Sequence, residues 1–209
     1  MSNKSSLTVP DGLDVSRETL AKLHQLVLLV EKWTPHINLV SANSLGDIWT
    51  RHVCDSLQLF KFMPAGTSHW VDLGSGGGFP GLVVSIVAQE VSPQMRMTFV
   101  ESDHRKATFL RTAVRELGLS VNVRSTRIES TGSLQADVLS ARALGPLIDL
   151  LGYAEQHLAP SGYAIFMKGR SVNQEIEAAR SKWCFEFTTH ASMTDDHAQL
   201  RRIERISHA

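Results

Sequence analysis

The stretch Trp70-Val71-Asp72-Leu73-Gly74-Ser75-Gly76-Gly77-Gly78-Phe79-Pro80-Gly81 constrains this chain more than any other. Apolar residues around an aspartate lead into a run of glycines, then a proline, then a long apolar segment. The pattern reads as strand, tight loop and helix, the opening unit of a nucleotide-binding α/β sheet. Glycine takes positive φ without steric cost and lets a ligand approach the backbone. A helix starting near Pro80 aims its unpaired N–H groups at the same point.

Two cofactor classes compete for such a loop. Read from Gly76, the spacing Gly76-x-Gly78-x-x-Gly81 fits a dinucleotide fingerprint. Read from Gly74, the series Gly74-x-Gly76-x-Gly78 behind Asp72 resembles motif I of the class I S-adenosylmethionine (SAM) methyltransferases. The order of elements along the chain helps to separate them. Helical spacing of apolar residues runs over 15–33, with Asp14 or Ser16 as cap and Pro35 as the expected end. A second helix is expected over 45–62. After a helix over 80–90 come a strand at 95–101, a helix at 103–117 and strands at 121–124 and 136–141. A helix at 146–157, a turn at 160–162, a strand at 163–168 and a helix at 172–181 follow. Strands alternating with helices make a mainly parallel sheet. The segments 183–191 and 199–206 are extended with no helix between them, so they pair antiparallel. That ending favours the methyltransferase sheet. Residues 1–66 are expected as a helical extension packed on a SAM-binding domain at 67–209, the two forming one globular unit.

The formal charge of zero argues against a generic nucleic-acid coat protein. It leaves room for a local basic face, with Arg111, Arg115, Arg124, Arg127, Arg170, Arg201, Arg202 and Arg205 as candidates. No run of about 18 apolar residues offers a membrane span, and residues 1–6 lack the apolar core of a signal peptide. A cytoplasmic location is expected, with Cys54 and Cys184 as two buried free thiols. His104 beside Asp103, and the run Asp195-Asp196-His197, do not have metal-ligand spacing, so no metal is expected.

Glu101 ends the second strand, where a carboxylate can accept both hydroxyls of a cofactor ribose. Arg127-Ile128-Glu129 follows the third strand, where an adenine commonly lies in these folds. Ile128 can pack on the ring, and Glu129 or backbone groups can take its amino group. Asp72 is expected under the loop near the sulfonium end, or else tying down loop N–H groups. After the fourth strand stands Ser140-Ala141-Arg142-Ala143-Leu144-Gly145-Pro146, not the Asn/Asp-Pro-Pro-aromatic motif of exocyclic-amine methyltransferases. Neither cysteine fits the nucleophile of pyrimidine C5 methylation. What survives is chemistry that needs no strong base, and guanine N7 already presents a lone pair. Arg142 is then placed at the cofactor carboxylate or guanine O6, unless it pairs with Asp72 or Glu101.

Several segments together resemble one family, the bacterial 16S ribosomal RNA guanine-N7 methyltransferases known as RsmG or GidB. They are Asn38-Leu39-Val40-Ser41, Arg51-His52-Val53-Cys54-Asp55-Ser56-Leu57, the glycine loop through Gly81, Glu101-Ser102 with Arg105-Lys106 and Phe109-Leu110, Arg127-Ile128-Glu129, Ser140-Ala141-Arg142-Ala143 and Lys168-Gly169. The resemblance runs from about residue 20 to the end. It implies a class I, Rossmann-like, seven-stranded and mainly parallel sheet with an antiparallel C-terminal pair. It also implies SAM contacts at Gly74, Phe79, Ile128, Glu129 and Arg142, with Glu101 at the ribose; Asp72, Gly76 and Gly78, read from the loop itself, are expected to complete the cofactor set. The implied target is a guanine in the 530 loop of 16S rRNA within the small ribosomal subunit, methylated by a monomer. His104 and Thr108 depart from the lysine-like chemistry expected on that helix. His52, Asp55 and Ser56 are spaced to share a helix face, either bordering the substrate or joining the extension to the core. Lys168, at the carboxyl edge of the sheet, joins Arg142 as a candidate catalytic residue and is also a candidate contact to base or phosphate. The rival readings are a methyltransferase for another RNA, a protein or a small molecule, a NAD-dependent oxidoreductase, and a non-catalytic SAM-responsive RNA-binding module.

Overall fold

A computed structural model describes residues 9, 15–169, 172–195 and 198–209. The cap at Asp14, the tail at 1–6, Arg170 and the pair Asp196-His197 lie outside the described residues. Seven strands form one sheet: β1 (His69–Leu73), β2 (Arg96–Glu101), β3 (Val121–Ser125), β4 (Ala136–Arg142), β5 (Leu158–Lys168), β6 (Trp183–Ala191) and β7 (Gln199–His208). Their order is β3-β2-β1-β4-β5-β7-β6. The first five run parallel, while β7 lies antiparallel to both β5 and β6. A dinucleotide-binding sheet continues with a parallel sixth strand, so the inserted antiparallel β7 removes that reading of the fold.

Alternation along the strands builds two cores. Trp70, Val138 and Ile165 face one side with Phe99, Phe109 and the apolar face of the first helix. Val71, Leu139 and Phe166 face the other, with Leu147, Leu151 and Ile176. Period-2 side-chain alternation is what splits neighbouring residues between the faces. The first side is covered by α1 (Arg17–Ile37), α4 (Gly81–Val91) and α5 (His104–Glu116), and the second by α6 (Leu147–His157) and α7 (Val172–Arg180). No described helix is long and apolar enough to cross a membrane.

Helix α1 begins at Ser16, whose side chain accepts from the Thr19 N–H. It buries Leu23, Leu26 and Val30 completely, each worth about 1.5–3 kcal/mol. The Thr19 hydroxyl donates to Glu90 at 2.6 Å and Lys22 to Gln89 at 2.5 Å, fixing α1 on the end of α4. Pro35 does not end this helix, which runs on to Ile37. In the last turn the missing proline N–H forfeits a single bond, and the Asn38 N–H still closes on the Thr34 carbonyl.

Three further sequence expectations need correction. The second helix is not continuous: it breaks into α2 (Ala42–Leu45), a π-helical turn at Trp49–Cys54, α3 (Asp55–Leu57) and a 3-10 turn at Gln58–Phe62. Its apolar residues keep helical spacing, but tertiary contacts decide where the turn widens, and π-turns concentrate at functional sites. Pro160-Ser161-Gly162 is not a turn but the bulged start of β5, where the register against β4 shifts. A side chain at Gly162 would meet the Ala136 carbonyl at 2.4 Å. Cys54 is buried as expected, whereas Cys184 is exposed.

Candidate active site

Two cavities open at the carboxyl edge of the sheet. The inner one, about 420 Å³, is lined by the glycine loop, Phe79, Glu101, Lys106, Arg127, Ile128, Glu129 and Tyr153. The outer one, about 790 Å³, is lined by Ser44, Asp47, Arg51, His52, Asp55, Lys168 and the β6–β7 loop residues Ser192, Thr194 and Asp195. Leu39, Arg142 and Ala143 line both and form the wall between them. Ala143 holds a left-handed φ of 52° there, a local cost of about 1 kcal/mol or more for a residue with a Cβ.

The inner cavity is shaped by backbone. Gly74 and Gly76 take positive φ, and a side chain at Gly77 would meet the Leu39 carbonyl at 2.6 Å. Gly74 N–H donates to the Val100 carbonyl at 2.8 Å, stitching the loop onto β2. Glu101 accepts from the Gly76 N–H at 2.8 Å through Oε2 and from the Asp103 N–H at 2.8 Å through Oε1. Each oxygen keeps a second lone pair for a ligand hydroxyl. Across the cavity, Tyr153 donates to Glu129 at 2.6 Å, which holds the Glu129 carboxyl below its usual range. A glycine cradle, a carboxylate on its floor and Ile128 beside a Tyr–Glu pair fit the sugar, base and amino-acid parts of SAM, in a volume typical of small-molecule sites.

Two members of the expected cofactor set stand behind this cavity. Gly78 does not line it; a side chain there would run into Leu82 at 2.2 Å, so this glycine serves loop-to-helix packing. Asp72 is fully buried. It accepts from the Ser140 hydroxyl at 2.6 Å, and Ser140 in turn accepts from Trp70 Nε1 at 2.9 Å. Its Oδ2 leans toward the Gly81 N–H without a well-aligned hydrogen bond. Burial pushes the Asp72 carboxyl up to about 6, against the Ser140 bond that favours its charged form.

The wall residue Arg142 is held from the outer side. Its Nη2 donates to His52 Nδ1 at 2.6 Å, and its Nη1 to the Arg51 carbonyl at 3.1 Å and Asp55 Oδ2 at 3.4 Å. The ion pair is therefore with Asp55, not with Asp72 or Glu101. A guanidinium only donates, so His52 Nδ1 is an acceptor and its proton sits on Nε2. That proton goes to Ser44 Oγ at 3.0 Å. Burial, then the Arg142 and Arg51 charges, push His52 down to about 3, so the ring is neutral at physiological pH. It stacks on Phe79 with centroids 5.0 Å apart, and the guanidinium lies 5.5 Å from the same ring.

The remaining candidates divide. Lys168 lines the outer cavity but donates to Glu175 at 2.6 Å and to the Gly145 carbonyl at 2.9 Å. Ser56 is fully buried, donates to the His52 carbonyl at 2.6 Å and lines neither cavity. Of the arginines proposed for a basic face, Arg127 lines the inner cavity, whereas Arg201 is buried and bonds Thr189, Asn173 and Gln199. Among the described residues no cluster could hold a metal ion. Tyr153 and Thr194 escaped the sequence reading, because each reaches the site through the fold and not through a motif; Ala143 and Leu144 stood in quoted segments but had no role assigned. Leu39 was within a family-like segment but had no role assigned.

A family model described as rRNA small subunit methyltransferase G (GidB) matches residues 19–204. The chain belongs to this GidB family. Curated relatives agree along nearly the whole length. A protein named ribosomal RNA small subunit methyltransferase G from Ruegeria sp. (strain TM1040) is 50% identical over 194 residues, covering 93% of this chain and 94% of its own. One of the same name from Cereibacter sphaeroides (strain ATCC 17029) is 51% identical over 196 residues, covering 94% and 95%. Among solved structures, a SAM-dependent methyltransferase from Aquifex aeolicus superposes with a TM-score of 0.59 at 12% identity, over 85% of this chain and 97% of that one. At that identity the likeness speaks for the fold alone, and the fold is that of the class I methyltransferases. In this GidB family member the inner cavity at the glycine loop and the outer cavity share a wall that includes Arg142.

Proposed function

We propose that this protein transfers a methyl group from SAM to N7 of a guanine in 16S rRNA of the small ribosomal subunit. The observation that carries the reading is the shared wall of Leu39, Arg142 and Ala143 between two cavities of ligand size. When bound in the inner cavity, SAM supplies an electrophilic methyl on its sulfonium. The Gly74–Gly77 backbone, Glu101 and Ile128 would hold it, with Glu129 fixed by Tyr153 at the base. In the outer cavity the protein's task is to seat a base edge against the wall.

None of the three wall residues can take up a proton. Arg142 stays charged, and the neighbouring His52 is neutral with both ring nitrogens engaged. An acceptor that must first be deprotonated is poorly served, while guanine N7 needs only alignment. Positioning of this kind reaches effective molarities of about 10⁵ M or more. Arg142 can donate to guanine O6, which lies beside N7 on the same base edge. The deep, narrow major groove of A-form RNA hides N7, so the base must come from a loop or be splayed out. With no net charge on the protein, the shape of the subunit contributes to recognition beyond phosphate attraction. A monomer acting in the cytoplasm completes the proposal.

The test is transfer of labelled methyl from SAM to small subunits purified from cells lacking this protein, with the modified base mapped. Label on N7 of a single guanine in the 530 loop is the expected result. Label on another atom or another RNA overturns the substrate assignment.

A further inference from the structure

The outer cavity is bounded on one side by the loop between β6 and β7, which Asp55 and Gln58 together hold to the helical extension. Asp55 Oδ1 accepts from Thr194 Oγ1 at 2.8 Å, from Gln58 Nε2 at 2.7 Å and from Ser192 Oγ at 3.4 Å. Its Oδ2 faces Arg142 Nη1 at 3.4 Å. Gln58 extends the grip, its Oε1 accepting the Met193 N–H at 3.0 Å. Three donors crowd Oδ1, which has two lone pairs, and one donor faces Oδ2. The side chain is only 14% exposed, and a buried carboxylate persists only where such partners offset its lost hydration.

Asp55 is therefore committed chiefly to protein donors, with Oδ1 saturated. It is the place where three elements that line the outer cavity meet: the π-turn region, the end of β4 and the β6–β7 loop. We propose that Asp55 is a positioning residue that couples the β6–β7 loop to Arg142, so that RNA seated against the loop sets the guanidinium at the wall between the cavities. The proposal rests on the methyl-transfer reading above.

Thr194 carries the loop end of this link, and its side chain bonds Asp55 and Ser192 rather than Arg142. Thr194→Val removes the shortest contact between the loop and Asp55 and leaves the Arg142–Asp55 pair in place; Thr194→Ser keeps the hydroxyl. Asp55→Asn removes the charge that faces Arg142. All are made in the full chain, and kcat and KM for small subunits are measured at saturating SAM. Coupling predicts that Thr194→Val lowers kcat by about 10-fold as well as raising KM, and that Thr194→Ser restores both. It also predicts that the Asp55→Asn/Thr194→Val double variant is no slower than Asp55→Asn alone, since both changes act through one carboxylate. A raised KM with unchanged kcat in Thr194→Val, or independent effects that multiply in the double variant, overturns the proposal.

A second measurement is independent of turnover. Amide hydrogen exchange in the free protein at residues 192–195 is expected to accelerate in Thr194→Val and not in Thr194→Ser, and unchanged exchange in Thr194→Val overturns the tether. If Asp55→Asn does not fold, Thr194→Val and Thr194→Ser decide the matter by the same two readouts. If the wild-type protein transfers no methyl to subunits, the functional reading fails, while the exchange experiment still reports on the tether.

Discussion

Arg142 is fixed by what it is bonded to: one nitrogen on the His52 ring, the other on the Arg51 carbonyl and the Asp55 carboxylate. Lysine keeps the charge but has neither the planar fork nor the reach of two parallel donors. Arg142→Lys is expected to lower kcat/KM for methyl transfer by about 100-fold, near 3 kcal/mol of transition-state stabilisation, with an unchanged melting temperature. Asp72 carries a different prediction. Its folded pKa of about 6 lies above the unfolded carboxylate value of about 3.9, so the folded state binds the extra proton between those two pH values. Stability associated with this group is thus fully present below pH 4 and lost as pH rises through 6. Compared with Asp72→Asn, the wild type should lose up to about 3 kcal/mol across that window, read by denaturant unfolding at a series of pH values. The slope is the observable, because an amide facing the Gly81 N–H adds a cost that does not vary with pH. The chemical type of these residues could be read from the sequence. Their partners could not: Asp55 is 87 residues from Arg142, and His52 is brought onto Phe79 by the fold alone.

At the scale of elements, the strands were legible because alternation and turn residues are local signals. The π-turn was not, because residues 45–62 keep helical apolar spacing throughout and packing selects the point of widening. Pro35 misled for the opposite reason: a local rule was applied to the last turn, where one missing N–H costs little. The segment that leads into α2 meets the glycine loop by close approach, with the Leu39 carbonyl seated over Gly77. Gly77→Ala should push backbone against backbone and destabilise the protein by about 1–3 kcal/mol. Because Leu39 is part of the wall between the cavities, activity should fall with it. Equilibrium unfolding and methyl transfer on the same preparation check both halves.

For the whole molecule, the fold class and most of the inner cavity's lining were within reach of the sequence; of the outer cavity it offered His52, Asp55, Arg142 and Lys168 but not the β6–β7 loop. The outer cavity is assembled from the helical extension, the end of β4 and the β6–β7 loop; Asp55 is 87 residues from Arg142 and 139 from Thr194. The same assembly bears on folding. Leu23, Leu26 and Val30 sit in one apolar core with Phe99 and Phe109, so the extension and the sheet should melt as one. A single calorimetric transition, with van 't Hoff and calorimetric enthalpies equal, is expected; two resolved transitions would divide the chain into separate units.

The two cysteines differ in a way that reaches beyond folding. Burial, aided by the Asp47 and Asp55 charges, pushes the Cys54 thiol up to about 11, whereas Cys184 lies on the exposed face of β6. Only a thiolate attacks an alkylating reagent, so maleimide should label Cys184 in the folded protein and spare Cys54 until it unfolds, as peptide mass mapping would report. Cys184 lies eight residues along the strand from Ser192 at the outer cavity, about 26 Å at the rise of an extended chain. The protein thus carries its own chemical handle: a single fluorophore, placed clear of the reacting groups and within energy-transfer range of a dye on the ribosomal subunit, could follow docking in real time.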